Sequence, residues 1–376
     1  MMRAILFSIP QCIRPPYVFK VGSVSDETGQ TLPHSRSACE SEAPCGTAPI
    51  PGPVIPALAC PRPRSRAGIQ AGNSGATPSH PKLTPIGLSA TQGSVSDLPP
   101  GVSRHYVQVG QIRTHYLEAG AGRGPTVVLI HSGEFGGRAE FSWRYNIAQL
   151  GERFHVYAPD LAGFGRTDLV YSFSDALGFR LKHIDGFLRT MCLGPVHLIG
   201  NSFGGGFCLQ MATDPRFDVA SVIAVSGGGK APDNDERKVL TGYTGEREQM
   251  RDILRVCFYN DRWWTDDVVE ERWQASLEPG VWEACAAARL APSGQPRGFR
   301  PVRPDYGRIR CPVLIVAGAQ DPLRFPTYAT DLQSEIPGSE VKVFENSRHC
   351  SHAEHPEEFN AVAIDFIKRH AGEQGP

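Results

Sequence analysis

Gly200-Asn201-Ser202-Phe203-Gly204-Gly205 follows the apolar run Val196-His197-Leu198-Ile199 and precedes Phe207-Cys208-Leu209-Gln210-Met211-Ala212. The first run reads as a buried strand and the second as a helix. A strand, then G-x-S-x-G, then a helix is the setting in which a serine is carried on a sharp turn above the end of a sheet. The glycines allow a turn too tight for residues with a Cβ, so the Ser202 hydroxyl projects upward with the helix N-terminus beneath it. Backbone amides at such a terminus can stabilise an oxyanion, which makes the Phe203 amide a candidate donor. Taken alone, the pattern also fits a glycine-rich strand-to-helix turn of another α/β protein.

Working outward, more strands appear. Tyr106–Val109 and Ile112–Leu117 alternate as a hairpin about Gly110-Gln111. Thr126–Ile130, Phe154–Ala158, Val219–Val225 and Cys311–Ala317 are continuous apolar runs, the mark of strands covered on both faces. Glu340–Phe344 is the last strand. Between them, Ser142–Leu150 and Ala176–Met191 predict helices, and Pro356–His370 predicts a closing helix. The loop Asp160 to Asp168 reads as structural, with Asp160 bonding backbone amides. Residues 230–304 interleave charges with aromatics at helical spacing, notably at Met250–Tyr259 and Asp266–Leu277. An insert of this kind between strands predicts a helical lid, which Trp263, Trp264 and Trp273 would line or hold together.

The strand Val219–Val225 ends without an acid, but Asp321 follows Cys311–Ala317 and His349 follows the last strand. Free serine is a poor nucleophile; a neutral imidazole must take its proton, and a buried carboxylate must hold that imidazole in the right tautomer. Ser202, Asp321 and His349, in that chain order, are the candidate catalytic residues. His352 and His355 crowd the same loop but sit nearer a helix start, where they are expected to be solvated.

At this point residues from about 104 to 370 resemble the α/β-hydrolases that cleave meta-ring-fission products, the C–C bond hydrolases of aromatic and steroid breakdown. The resemblance rests on Asn201 before the nucleophile, on Ala158-Pro159-Asp160 with Gly163 to Asp168, on Met250–Tyr259 followed by Val269 to Trp273, and on His349 followed by Glu354 and His355. It implies an α/β-hydrolase fold: a mostly parallel eight-stranded sheet flanked by helices, with an inserted lid. It implies Gly133, in the loop after Thr126–Ile130, as a second oxyanion donor beside Phe203, and Asn201 and Arg272 as substrate-binding residues. Arg272 is the cation that an acidic substrate would need, its planar fork suiting a carboxylate. The implied substrate is of the 2-hydroxy-6-oxo-hexa-2,4-dienoate type. Ser132, Glu134-Phe135, Arg348 and Cys350 depart from the family pattern and predict a pocket of altered size and polarity. A carboxylesterase with the same triad is the alternative, and a ligand-binding receptor on this fold is a third.

Composition excludes other classes. The formal net charge of −1 lacks the basic excess of a nucleic-acid binder. No apolar run approaches the roughly 18 residues of a membrane span, and the first residues lack a secretory signal, which predicts a cytoplasmic protein. Ten cysteines without C-x-x-C or zinc spacing predict reduced thiols, with Cys192, Cys208 and Cys311 as small packing residues. No metal and no cofactor is called for; the expected partner is a small-molecule substrate, with a homo-oligomer left open. Residues 1–103 hold 16 of the 32 prolines and predict a disordered extension. Residues 104–229 and 305–376 then form the core around the lid at 230–304.

Overall fold

Apolar runs too uniform to have a wet face become the inner strands of one sheet in the computed structural model, which describes residues 98–290 and 304–371. In chain order the elements are β1 (Val102–Val109), β2 (Ile112–Ala119), β3 (Thr126–Ile130), α1 (Ala139–Ser142), α2 (Ile147–Gly151), β4 (His155–Pro159), α3 (Ala176–Thr190), β5 (Val196–Asn201), α4 (Phe203–Ala212) and β6 (Val219–Val225). An insert follows, with α5 (Asp235–Thr241), α6 (Arg247–Cys257), α7 (Asp266–Ser276) and α8 (Val281–Ala286). The chain returns to the sheet through β7 (Val313–Gly318), α9 (Tyr328–Glu335), β8 (Glu340–Phe344), α10 (Ser351–Glu354) and α11 (Pro356–Ala371). The proline-rich segment lies outside the described residues up to position 97, as does the end of the insert at 291–303.

The strands form an eight-stranded sheet in the order β1-β2-β4-β3-β5-β6-β7-β8. β2 runs antiparallel to both neighbours, and every pairing from β4 to β8 is parallel. Successive side chains of a strand point to opposite faces, so each apolar run feeds two cores at once. Val128, Leu198, Val222 and Ile315 join the core beneath α3, α4 and α9. Val127, Ile199, Ile223 and Val316 join the one beneath α2 and α11. Among the described residues no helix is long and apolar enough to cross a membrane.

Three local readings change. The helix expected over 142–150 is broken into α1 and α2. Buried tertiary bonds intervene: His352 Nε2 donates to Ser142 O at 2.8 Å, and Asn146 Nδ2 donates to His352 O and to Asn360 Oδ1. The same contacts bury His352, which stacks near Trp143 and is not solvated as expected. Burial pushes its imidazole down to about 4 despite the Ser142 carbonyl. Among the cysteines, Cys208 and Cys311 are free thiols, whereas Cys192 is disulfide-bonded and is not the simple packing residue its apolar setting predicts.

The insert builds its own small core. Met250, Ile253, Leu254 and Val269 gather around Tyr243 and reach Phe135 in the loop after β3 and Ala353 in α10. Trp273 holds it by donating Nε1–H to Gly245 O at 2.7 Å.

Close approach sets the position of α4. A Cβ on Gly204 would lie 2.2 Å from Ile130 O, a backbone atom that cannot give way, whereas one on Gly206 would meet nothing nearer than 3.5 Å. Gly204→Ala is therefore expected to destabilise the fold by about 2–3 kcal/mol through overpacking. Gly206→Ala should be neutral or stabilise by up to about 1 kcal/mol through lost unfolded-state entropy. Urea unfolding of the two variants checks this, and equal midpoints would contradict the packing.

Candidate active site

The turn between β5 and α4 holds Ser202 at φ 55° and ψ −112°, a left-handed conformation rare outside glycine. The Ser202 amide donates to Val225 O at 2.8 Å, which ties the strained residue to β6. The residue is partly accessible.

His349 meets it from the loop after β8. Its Nε2 lies 2.7 Å from Ser202 Oγ, and its Nδ1 lies 2.7 Å from Asp321 Oδ2 at the end of β7. Burial alone would push the Asp321 carboxyl up; the His349 imidazole, Arg324 and the Leu323 amide outweigh it and hold the group below its ordinary value. An ionised Asp321 accepts a hydrogen bond from Nδ1–H, which leaves the Nε2 lone pair facing serine. The backbone of His349 is also pinned: its N–H donates to Cys257 O at 3.0 Å, and its carbonyl accepts from Asn201 Nδ2 at 3.0 Å. Glu354 fastens the same loop by accepting from Arg348 N, Ser347 Oγ and Tyr259 N. The sequence signal for this clamp is the spacing of Glu354 after His349.

The other expected site residues divide. Gly133 and Phe203 come together, since a Cβ on Gly133 would lie 3.0 Å from Phe203 Cβ. The amides of both have no acceptor among the described residues, which leaves two N–H donors unspent. Asn201 is fully buried, and its Nδ2 donates to Val225 O and His349 O, which ties the histidine loop to the turn carrying Ser202. Arg272 does come to the site but is not free. Its Nη2 donates to Glu134 Oε1 at 2.6 Å, with the side chains 9% and 14% exposed. Burial would raise the Glu134 carboxyl, yet Arg272 and the Ser132 hydroxyl hold it below its ordinary value. The pair is thus an internal salt bridge whose cation is already matched.

Arg272 also lines a cavity of about 370 Å³ walled by Phe141, Tyr145, Leu254, Phe258 and Trp263. Neither Ser202 nor His349 lines it, so it is a space beside the reacting groups and not around them.

Asp160 stays outside the chemistry, as its place before the elbow, the turn between β5 and α4, implies. Oδ1 accepts from Ala139 N at 2.7 Å; Oδ2 accepts from Arg166 N at 2.9 Å and bonds His115 Nδ1 at 2.7 Å. Burial would raise this carboxyl, but His115, His131 and the Arg166 amide bring it below its ordinary value.

A model of the alpha/beta hydrolase family matches residues 127–362. The chain is 27% identical over 272 residues to 2-hydroxymuconate semialdehyde hydrolase of Pseudomonas sp. (strain CF600), covering 71% of this chain and 94% of that protein. It is 28% identical over 273 residues to 2-hydroxy-6-oxo-6-(2'-aminophenyl)hexa-2,4-dienoic acid hydrolase of Metapseudomonas resinovorans, covering 71% and 91%. Among solved structures, the meta-cleavage product hydrolase of Pseudomonas fluorescens IP01 superposes with a TM-score of 0.63 at 25% identity, over 72% of this chain and 98% of that one.

The Asp160 network generates a pH-dependent expectation. A carboxyl whose folded pKa is depressed contributes stability above its unfolded value of about 4, and that contribution is lost as pH falls through the folded value. Asp160→Asn should cost about 3 kcal/mol at pH 7. The gap from the parent protein should close on acidification, as measured by urea unfolding at a series of pH values. A gap that does not change with pH would show that the carboxylate charge is immaterial.

Proposed function

Since this chain belongs to the alpha/beta hydrolase family and is an enzyme, we propose that it is a serine-dependent hydrolase cleaving a C–C bond in a meta-ring-fission product of the 2-hydroxy-6-oxo-hexa-2,4-dienoate type. The serine chemistry rests on one observation, the unbroken chain Ser202 Oγ to His349 Nε2 and His349 Nδ1 to Asp321 Oδ2, each link 2.7 Å. The substrate class rests on the relatives named for such dienoates.

In this proposal the dienol first ketonises, which turns the later leaving group into a stabilised carbanion. His349 Nε2 takes the Ser202 proton while Oγ attacks the distant carbonyl, and the oxyanion forms between the Gly133 and Phe203 amides. The C–C bond beside that carbonyl breaks; its electron pair leaves into the dienolate, which takes the proton from the imidazolium. Water, deprotonated by His349, then releases the acyl group from Ser202. One substrate and one water give one 2-hydroxydienoate and one carboxylic acid, so the account needs no metal and no cofactor. The proposed partner is a small molecule, the proposed setting is the cytoplasm, and the insert α5 to α8 is the proposed lid.

A second reading has its own support. Because Glu134 already neutralises Arg272, a neutral ester would suffer less in this pocket than in one with an open cation. Ester cleavage by the same residues is therefore the alternative.

Loss of the yellow ring-fission chromophore, measured beside hydrolysis of a p-nitrophenyl ester, separates the two. The first reaction should dominate in kcat/KM, and Ser202→Ala should lower it about 10³-fold or more while leaving the circular dichroism spectrum unchanged. Hydrolysis of the ester alone would establish the alternative, and near-normal dienoate turnover by Ser202→Ala would remove serine from the chemistry.

A further inference from the structure

If the substrate is a dienoate, its carboxylate must be met by a cation, and the charge of Arg272 is already matched by Glu134. The geometry points to Arg180 on α3 as the residue that binds the carboxylate of the substrate. This rests on the function proposed above and goes beyond it by naming the recognition group.

Arg180 falls on the apolar stripe of α3 with Ile184, Phe187 and Leu188, a place where a charged side chain requires a reason. It is 8% exposed. Its Nε donates to Ala162 O at 3.2 Å, and its terminal amino groups have no hydrogen-bond acceptor among the described residues. It forms no ion pair among them either, whereas the other buried arginines of the pocket region, Arg138 and Arg272, each face a glutamate.

What surrounds Arg180 sets its direction. The guanidinium carbon lies 5.6 Å from the ring centre of Phe203, the residue after the proposed nucleophile, 5.2 Å from that of Phe164 and 5.4 Å from that of Tyr171. The Phe203 ring in turn abuts Gly133. The cation is thus one aromatic ring away from the proposed oxyanion donors, on the side toward α3, and Cys285 of the insert is close enough to feel its charge. Burial pulls its pKa below the ordinary arginine value, with only Tyr171 and Cys285 opposing, as for a cation short of an anion. A guanidinium stays charged in any protein. Aromatic faces offset part of its desolvation, and the two terminal amino groups, with four N–H donors, are left open in the fork that suits a carboxylate.

A short conjugated acid would then lie with its carbonyl at Ser202 and its carboxylate over Phe203 at Arg180. Glu134 contributes the opposite effect: by pairing with Arg272 it neutralises a competing cation, whereas the Arg180 guanidinium keeps an unpaired charge.

Calorimetric titration with hexa-2,4-dienoate and with its neutral amide tests this without requiring turnover. The parent protein should bind the anion more tightly than the amide. Arg180→Gln should weaken the anion tenfold or more while changing the amide less than about threefold. Arg272→Gln should change the anion less than about threefold, and Arg180→Lys, which keeps the charge without the fork, should fall between. The inference is overturned if Arg180→Gln weakens both ligands alike, if Arg272→Gln is the variant that loses the anion, or if the parent protein does not prefer the anion. If Arg180→Gln does not fold, the Arg180→Lys and Arg272→Gln pair decides by the same comparison. Failure of the parent protein to cleave a dienoate, with anion binding still dependent on Arg180, would defeat the proposed reaction and leave the anion site standing.

Discussion

One imidazole ring is the point on which the site depends. His349 touches Ser202 on one edge and Asp321 on the other, and neither contact survives unless the loop carrying the ring is fixed. Four separate parts of the chain fix it: the end of β7 through Asp321, the end of α6 through Cys257 O, the elbow through Asn201, and α10 through Glu354. The insert's α6 contributes one of the bonds that hold the histidine backbone, which couples the placement of the helical layer to the alignment of the reacting groups.

Charge is distributed around that ring with little left over. Asp321 is balanced by His349 and Arg324, Glu134 by Arg272, and Asp160 by His115 and backbone amides. Buried ions of one sign are costly when unmatched. Against this background the buried Arg180, with open donors beside Phe203, stands out, since it has no carboxylate of the kind Glu134 offers Arg272.

Much of this could be read from sequence because the signals were local. Continuous apolar runs identify strands covered on both faces whatever the rest of the chain does, and G-x-S-x-G between a strand and a helix constrains the backbone through the close approach of Gly204 to β3. The chain order of Ser202, Asp321 and His349 followed from strand ends in the same way. What failed to show depended on contacts across the sheet. The break after Ser142 and the burial of His352 come from bonds joining residues more than 200 positions apart. Asn201 was visible as a residue type but not as a donor turned toward Val225 and His349, and the partner that occupies Arg272 lies 138 positions away. Arg180 did leave a trace, a charge on the apolar face of a helix, which becomes meaningful only when its neighbours are known.

The central claim is that Ser202, activated by His349, becomes covalently attached to the acyl group. Rapid acid quenching during turnover of p-nitrophenyl benzoate, followed by mass spectrometry of the digested protein, tests it most directly. A benzoyl group on the peptide carrying Ser202, absent from His349→Ala, is the predicted result. Acylation at another residue, or turnover with Ser202 never modified, would contradict it.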